Sequence, residues 1–79
     1  MKKINYPYKR IKNLRIDKNL KQKDIAKELN LKQKTYSNYE RGVRRMPIGF
    51  LIKLADYYDT SISYLLELTD NPTFYTKRI

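Results

Sequence analysis

The stretch from Gln22 to Arg41, QKDIAKELNLKQKTYSNYER, decides the fold. Apolar residues fall at Ile25, Leu29 and Leu31 and then at Tyr36 and Tyr39, with the small Ala26 on the inward side of the first segment. Spacings of three and four residues put each group on one face of a helix. Asn30 stands between the two groups, where the chain must leave the first helix in a left-handed conformation that Asn tolerates. Two short helices joined by a tight turn and crossing steeply form a helix-turn-helix, and Ala26 lets them approach. The second helix carries Gln33, Lys34, Ser37 and Asn38 on the face away from its tyrosines. These side chains can hydrogen-bond base edges or phosphates.

A helical hairpin with a solvated polar face would share this pattern, and charge separates the two. The 79 residues hold 18 Lys plus Arg against 8 Asp plus Glu. Residues 1 to 45 contain 15 basic and 4 acidic residues, net +11, whereas residues 46 to 79 contain 3 and 4, net −1. Half the chain is a polycation whose self-repulsion is relieved when a polyanion covers it. Seventy-nine residues suit one domain near the lower limit for an unstapled apolar core. Cys and His are both absent, which excludes disulfides and zinc fingers and leaves only carboxylates as metal ligands, so neither metal nor cofactor is expected. No apolar run resembles a signal peptide or approaches the roughly 20 residues of a membrane span, so a soluble, cytoplasmic protein is expected.

Five helices are expected. Helix one runs from about Tyr8 to Lys18 with Ile11 and Leu14 inward, Asn19 as its C-terminal cap and Leu20 returning to the core. Helices two and three span about Gln22 to Leu29 and Gln33 to Arg41, the latter ended by Gly42. A basic loop, Val43-Arg44-Arg45-Met46, leads to Pro47 in the first turn of helix four, whose inward stripe is Ile48, Leu51, Leu54, Ala55 and Tyr58. Ser61 caps helix five, Ile62 to about Leu68, with Leu65 and Leu66 inward and Asp70-Asn71-Pro72 ending it. Residues 1–7 read as a basic arm, 8–68 as the domain and 69–79 as a tail. Of the eight tyrosines, Tyr36, Tyr39 and Tyr58 are expected in the core with their hydroxyls reaching the surface.

The run from Arg10 to Pro72 resembles the Cro/C1-type, lambda-repressor-like helix-turn-helix domain. The resemblance rests on Arg10-Ile11-Lys12-Asn13-Leu14-Arg15, on Gln22, Ile25-Ala26 and Leu29, and on Tyr39-Glu40-Arg41-Gly42. It continues through Leu51-Ile52-Lys53-Leu54-Ala55-Asp56, Ser63-Tyr64-Leu65-Leu66 and Leu68-Thr69-Asp70-Asn71-Pro72. The chain departs from the family where Asn30 and Asp59 replace frequent glycines, and where Lys21 and Lys32 replace Ser or Thr before helices two and three. The lysines forfeit side-chain caps of about 0.5–2 kcal/mol each.

The resemblance implies an all-α, five-helix fold, helix three in the major groove, and phosphate contacts from Gln22 and from the loop after helix three. It also implies an ion pair between Arg15 and Glu40. The chemistry of the side chains fits the same division. Gln33 and Asn38 can pair bidentately with adenine N6 and N7, Lys34 can donate to guanine O6 and N7, and Ser37 can meet a base edge at close range. Arg41, Arg44 and Arg45, with the backbone N–H of Gly42, suit phosphates, which position the protein without reading sequence. Lys9, Arg10, Lys12, Lys18, Lys21, Lys23 and Lys27 add long-range attraction.

The expected function is sequence-specific binding of double-stranded DNA as a transcriptional regulator, a repressor acting by operator occupancy, bound as a homodimer on an inverted repeat. Ile52, Tyr57, Tyr64 and Phe74-Tyr75 are the candidate pairing surface in the less charged half. With no ligand-sensing unit expected after the domain, control would come through abundance, proteolysis, competition or a protein partner. The alternatives are an antitoxin-type autoregulator whose tail binds a toxin, and a protein-interaction module that no longer reads DNA. An enzyme is not expected, because no paired acid–base or nucleophilic arrangement is present.

Overall fold

The computed structural model describes residues 8–72. Five helices follow one another: α1 (Lys9–Asp17), α2 (Gln22–Glu28), α3 (Gln33–Glu40), α4 (Ile48–Tyr57) and α5 (Ile62–Leu65). No strand occurs among the described residues. This is the all-α architecture expected of a lambda-repressor-like domain. The arm, residues 1–7, and the Phe74-Tyr75 segment lie outside the described residues.

One device ends every helix. Asn19, Asn30, Gly42, Asp59 and Glu67 each take a positive φ, between 56° and 77°. The N–H of the residue after each donates back five positions, from Leu20 to Arg15, Leu31 to Ala26, Val43 to Asn38, Thr60 to Ala55 and Leu68 to Ser63. The left-handed residue itself donates back three. These paired bonds satisfy carbonyls that the helix leaves open, and they reverse the chain within two residues. Asn and Asp adopt this conformation readily. Glu67 does not, and its φ of 62° explains why α5 stops at Leu65, short of the Leu68 expected from the sequence.

The helix starts are less well supplied. Lys21 and Lys32 make no side-chain cap, although Asp24 Oδ2 accepts the Lys21 N–H at 2.8 Å and so provides half of a capping box. Ser61 caps α5 as expected, its Oγ accepting the Tyr64 N–H.

Helix α2 packs on α3, α4 on α5, and α1 bridges α3 and α5. Their inward faces form one core of Ile11, Ile25, Leu29, Tyr36, Leu54 and Leu65, joined by Ala26, Leu51, Ala55 and Tyr58. Ile48 is not in it: at 61% exposure it projects beyond the end of the α4 stripe onto the rim of a groove beside Met46 and Leu66. Its place is taken by two residues whose local pattern is uninformative, Tyr8 and Met46, both nearly fully buried. The Tyr8 hydroxyl accepts the Met46 N–H at 2.8 Å, which fixes the basic loop against the start of α1.

Tyrosine hydroxyls also depart from expectation. That of Tyr36 is buried and donates to Glu40, and that of Tyr58 is buried without a hydrogen-bond partner. Tyr39 is half-buried, its ring 6.0 Å from that of Phe50.

Arg10, expected only to add long-range attraction, is a structural clamp. Its guanidinium lies 4.2 Å from the centre of the Tyr64 ring, donates to the Tyr64 and Thr69 carbonyls, and reaches Asp70 at 3.1 Å. Thr60 Oγ1 donates to the Pro72 carbonyl. Residues 69–72 are thereby held to α1 and to the turn after α4.

Candidate nucleic-acid interface

The close approach of α2 and α3 follows from Ala26, which is 2% exposed and leaves room for the second helix. With Tyr36 turned inward, helical geometry turns the opposite face of α3 outward. Gln33 and Lys34 are exposed near its start, and Ser37 and Asn38 are half-buried one turn later. At about 100° per residue Lys34 and Asn38 fall opposite Tyr36 and Ser37 to one side, while Gln33 lies within about one turn of Tyr36 and is exposed because it opens the helix.

The basic loop begins where α3 ends. Arg41, Arg44 and Arg45 are exposed. The main-chain carbonyl of Asn38 accepts N–H bonds from Val43 at 3.0 Å and Arg44 at 3.3 Å, so the loop is anchored to the helix itself. Two expectations change here. The Gly42 N–H donates to the Tyr39 carbonyl, so the contribution of Gly42 is its positive φ of 77° and not a donor aimed at phosphate. The Arg41 guanidinium is not free either: its Nη2 donates to Asn38 Oδ1 at 2.6 Å.

Beneath this surface, Glu40 is the hub that joins three helices. Its side chain is 1% exposed. Arg15 grips it with two donors, Nε to Oε2 at 2.7 Å and Nη2 to Oε1 at 3.0 Å, while Arg15 Nη1 holds the Leu20 carbonyl. Gln22 Nε2 adds a bond to Oε1 at 3.0 Å and the Tyr36 hydroxyl one to Oε2 at 2.8 Å. A buried carboxylate is costly unless paired and hydrogen-bonded, and here four donors converge on it. Burial pushes the Glu40 carboxyl up, but the bonds from Arg15, Gln22 and Tyr36 outweigh it and hold the group below the usual carboxylate range. Glu40 in turn raises the Arg15 guanidinium. Burial, reinforced by the negative Glu40, pushes the Tyr36 phenol far above its ordinary range, so it remains a donor. The roles of Gln22 and Tyr36 in this cluster were not expected from the sequence. The signal was there: Tyr36 and Glu40 are one turn apart, and Gln22 opens the helix packed against theirs.

The cluster ties α1, α2 and α3 together, with Glu40 buried and Arg15 and Gln22 half-buried. One amide N–H of Gln22 bonds Glu40, and the amide nitrogen carries a second hydrogen. Lys9, Lys12, Lys18, Lys21, Lys23 and Lys27 are all exposed on the first two helices and their connections. Among the described residues no group of acidic side chains could hold a metal ion.

A helix-turn-helix family model matches residues 11–65. Over 63 residues the chain is 33% identical to the uncharacterized HTH-type transcriptional regulator YobD of Bacillus subtilis (strain 168), covering 80% of this chain and 56% of that protein. It is 40% identical over 58 residues to the HTH-type transcriptional regulator ImmR of the same organism, covering 73% of this chain and 46% of that protein. An uncharacterized HTH-type transcriptional regulator of Rickettsia conorii, RC0668, is 29% identical over 59 residues, 75% and 47% of the two chains. The chain spans about half the length of these relatives. No solved structure matches significantly.

Proposed function

Because the chain belongs to the Cro/C1-type helix-turn-helix family of DNA-binding transcriptional regulators, we propose that it is a cytoplasmic repressor that occupies its operator with α3 in the major groove. The observation that carries this is the exposed polar face of α3, bordered directly by Arg41, Arg44 and Arg45. Gln33 and Asn38 read adenine through N6 and N7, Lys34 donates to guanine, and Ser37 meets a base edge. Arg44, Arg45 and the free amide N–H of Gln22 take phosphates and fix the register.

A single recognition helix reads only a few base pairs, and a twofold dimer on an inverted repeat doubles that information. Ile52 and Tyr57, exposed on α4 in the weakly charged half, are the natural pairing surface. Tyr64 is less available, being covered by Arg10 on one ring face. Half-sites then lie about 34 Å apart.

Selection of bound sequences from a random DNA pool, followed by binding of variants to the selected operator, tests the assignment. Gln33→Ala and Asn38→Ala are expected to weaken the operator more than random DNA, each by about 1–3 kcal/mol. Arg44→Ala and Arg45→Ala are expected to weaken both alike and to flatten the salt dependence by about one unit each. Equal losses on operator and random DNA from all four would show that α3 is not the reading helix. A single protomer on one asymmetric site, with no second shifted species as concentration rises, would remove the dimer.

A further inference from the structure

Arg41 Nη2 donates to Asn38 Oδ1 at 2.6 Å, a contact between an always-charged donor and an amide on the proposed reading face of α3. We infer that Arg41 is a positioning residue for base readout: it fixes which way the Asn38 amide faces, and thereby which base Asn38 accepts. This rests on the proposed role of α3 as the reading helix.

A primary amide has two orientations that differ only by exchanging oxygen and nitrogen. A guanidinium has donors and no acceptor, so only the orientation with Oδ1 toward Arg41 makes the bond. The alternative would set the Nδ2 hydrogens against a cation. The main chain at this position is held as well, because the Asn38 carbonyl accepts from both Val43 and Arg44. The amide is therefore presented with a fixed polarity from a fixed backbone. Oδ1 keeps its second lone pair for a base.

Polarity is what separates bases in the major groove. Adenine offers an N6 donor beside the N7 acceptor, and guanine offers two acceptors, O6 and N7. An amide locked with Oδ1 and Nδ2 in one order matches adenine and leaves guanine O6 facing an acceptor. An unlocked amide can turn its Nδ2 toward guanine O6 or thymine O4 and loses that discrimination. The remaining guanidinium donors are free for the neighbouring phosphate, so one side chain links backbone anchoring to base choice.

The test compares wild type, Asn38→Ala, Arg41→Met and Arg44→Met, first by enrichment from a random DNA pool and then by binding to the selected operator and to versions changed at single base pairs. Arg44→Met removes the same charge just outside the pair and is the control. Wild type should select adenine at one base pair of each half-site, and Asn38→Ala should abolish that preference. Arg41→Met should lower discrimination at this base pair about tenfold and leave the others intact, while Arg44→Met weakens all sequences equally. Adding Asn38→Ala to Arg41→Met should then remove little further discrimination. If Arg41→Met instead behaves like Arg44→Met, with the adenine preference retained, Arg41 is a phosphate anchor alone and the inference falls. If Asn38→Ala changes preference at no base pair, the assignment of α3 falls and takes this inference with it. Both arginines are exposed, and matched thermal melts of the two Met variants exclude a folding difference.

Discussion

Replacing Arg15 by Met should destabilise the protein more at neutral pH than at pH 4, because it strands a carboxylate that the fold cannot hydrate. Glu40 has 1% of its side chain exposed and loses its only cationic partner with two hydrogen bonds, keeping those from Gln22 and Tyr36. Breaking a buried pair from one side costs about 3–5 kcal/mol. A domain of this size has roughly 4–12 kcal/mol in all. At about 4–8 °C per kcal/mol, the melting temperature should fall by well over ten degrees. Glu40→Met should cost somewhat less, since the stranded Arg15 is 12% exposed and can reach water. The double variant should recover part of the loss, because two apolar side chains fill the site without a lone charge, although the Tyr36 hydroxyl is left without its acceptor at about 1–3 kcal/mol. The pH dependence carries the sign. In wild type the depressed Glu40 contributes stability that is complete above its unfolded value of about 4.3 and is lost as pH falls through its lower folded value. In Arg15→Met the cation no longer offsets burial, the folded value rises above the unfolded one, and the penalty grows as pH rises. The gap between the two proteins should therefore narrow from pH 7 to pH 4. Thermal and urea melts followed by circular dichroism across that range measure it. Additive losses in the double variant, or a gap independent of pH, would refute the view of Glu40 as a buried, ionised hub.

Five further substitutions probe other parts of the fold by the same melts. Arg10→Met should cost about 2 kcal/mol through loss of its bonds to the Tyr64 and Thr69 carbonyls, whereas Asp70→Asn should change little because that carboxylate is 97% exposed; equal effects would mean the surface ion pair is the real clamp. Glu67→Gly should raise stability by about 1 kcal/mol by relieving a left-handed, non-glycine residue, and a loss would show that the Glu67 side chain has a compensating role. Tyr8→Phe should destabilise by about 1–3 kcal/mol, since it leaves the buried Met46 N–H without its acceptor, whereas Tyr58→Phe should be neutral or stabilising because the Tyr58 hydroxyl has no partner to lose. The reverse order would mean that these two hydroxyls were assigned the wrong way round.

What the sequence by itself determined was local: the spacing of Ile25, Leu29, Tyr36 and Tyr39, the small Ala26, the chain reversals at Asn19, Asn30 and Gly42, and the concentration of charge in the first 45 residues. Each depends on residues within about one helical turn, or on composition, and neither needs knowledge of which helix meets which. The exposure of Lys34, opposite Tyr36, was legible for the same reason, once Tyr36 was known to face inward. Tertiary structure decided the rest. Arg10 and Arg15 both belong to α1 and have the same chemistry as the arginines of the loop, yet they serve carbonyls and carboxylates up to 60 residues away, because only the packed fold brings those acceptors within reach. Tyr8 and Met46 entered the core and Ile48 left it because burial is set by what stands opposite a residue, not by its own hydrophobicity. Helix five lost its last turn to Glu67, a residue type that gives no local signal for a left-handed conformation. Gly42 reads from sequence as a phosphate ligand, but its N–H already serves the Tyr39 carbonyl, and one Arg41 donor serves Asn38, since a donor's availability depends on whether the fold has already supplied an acceptor.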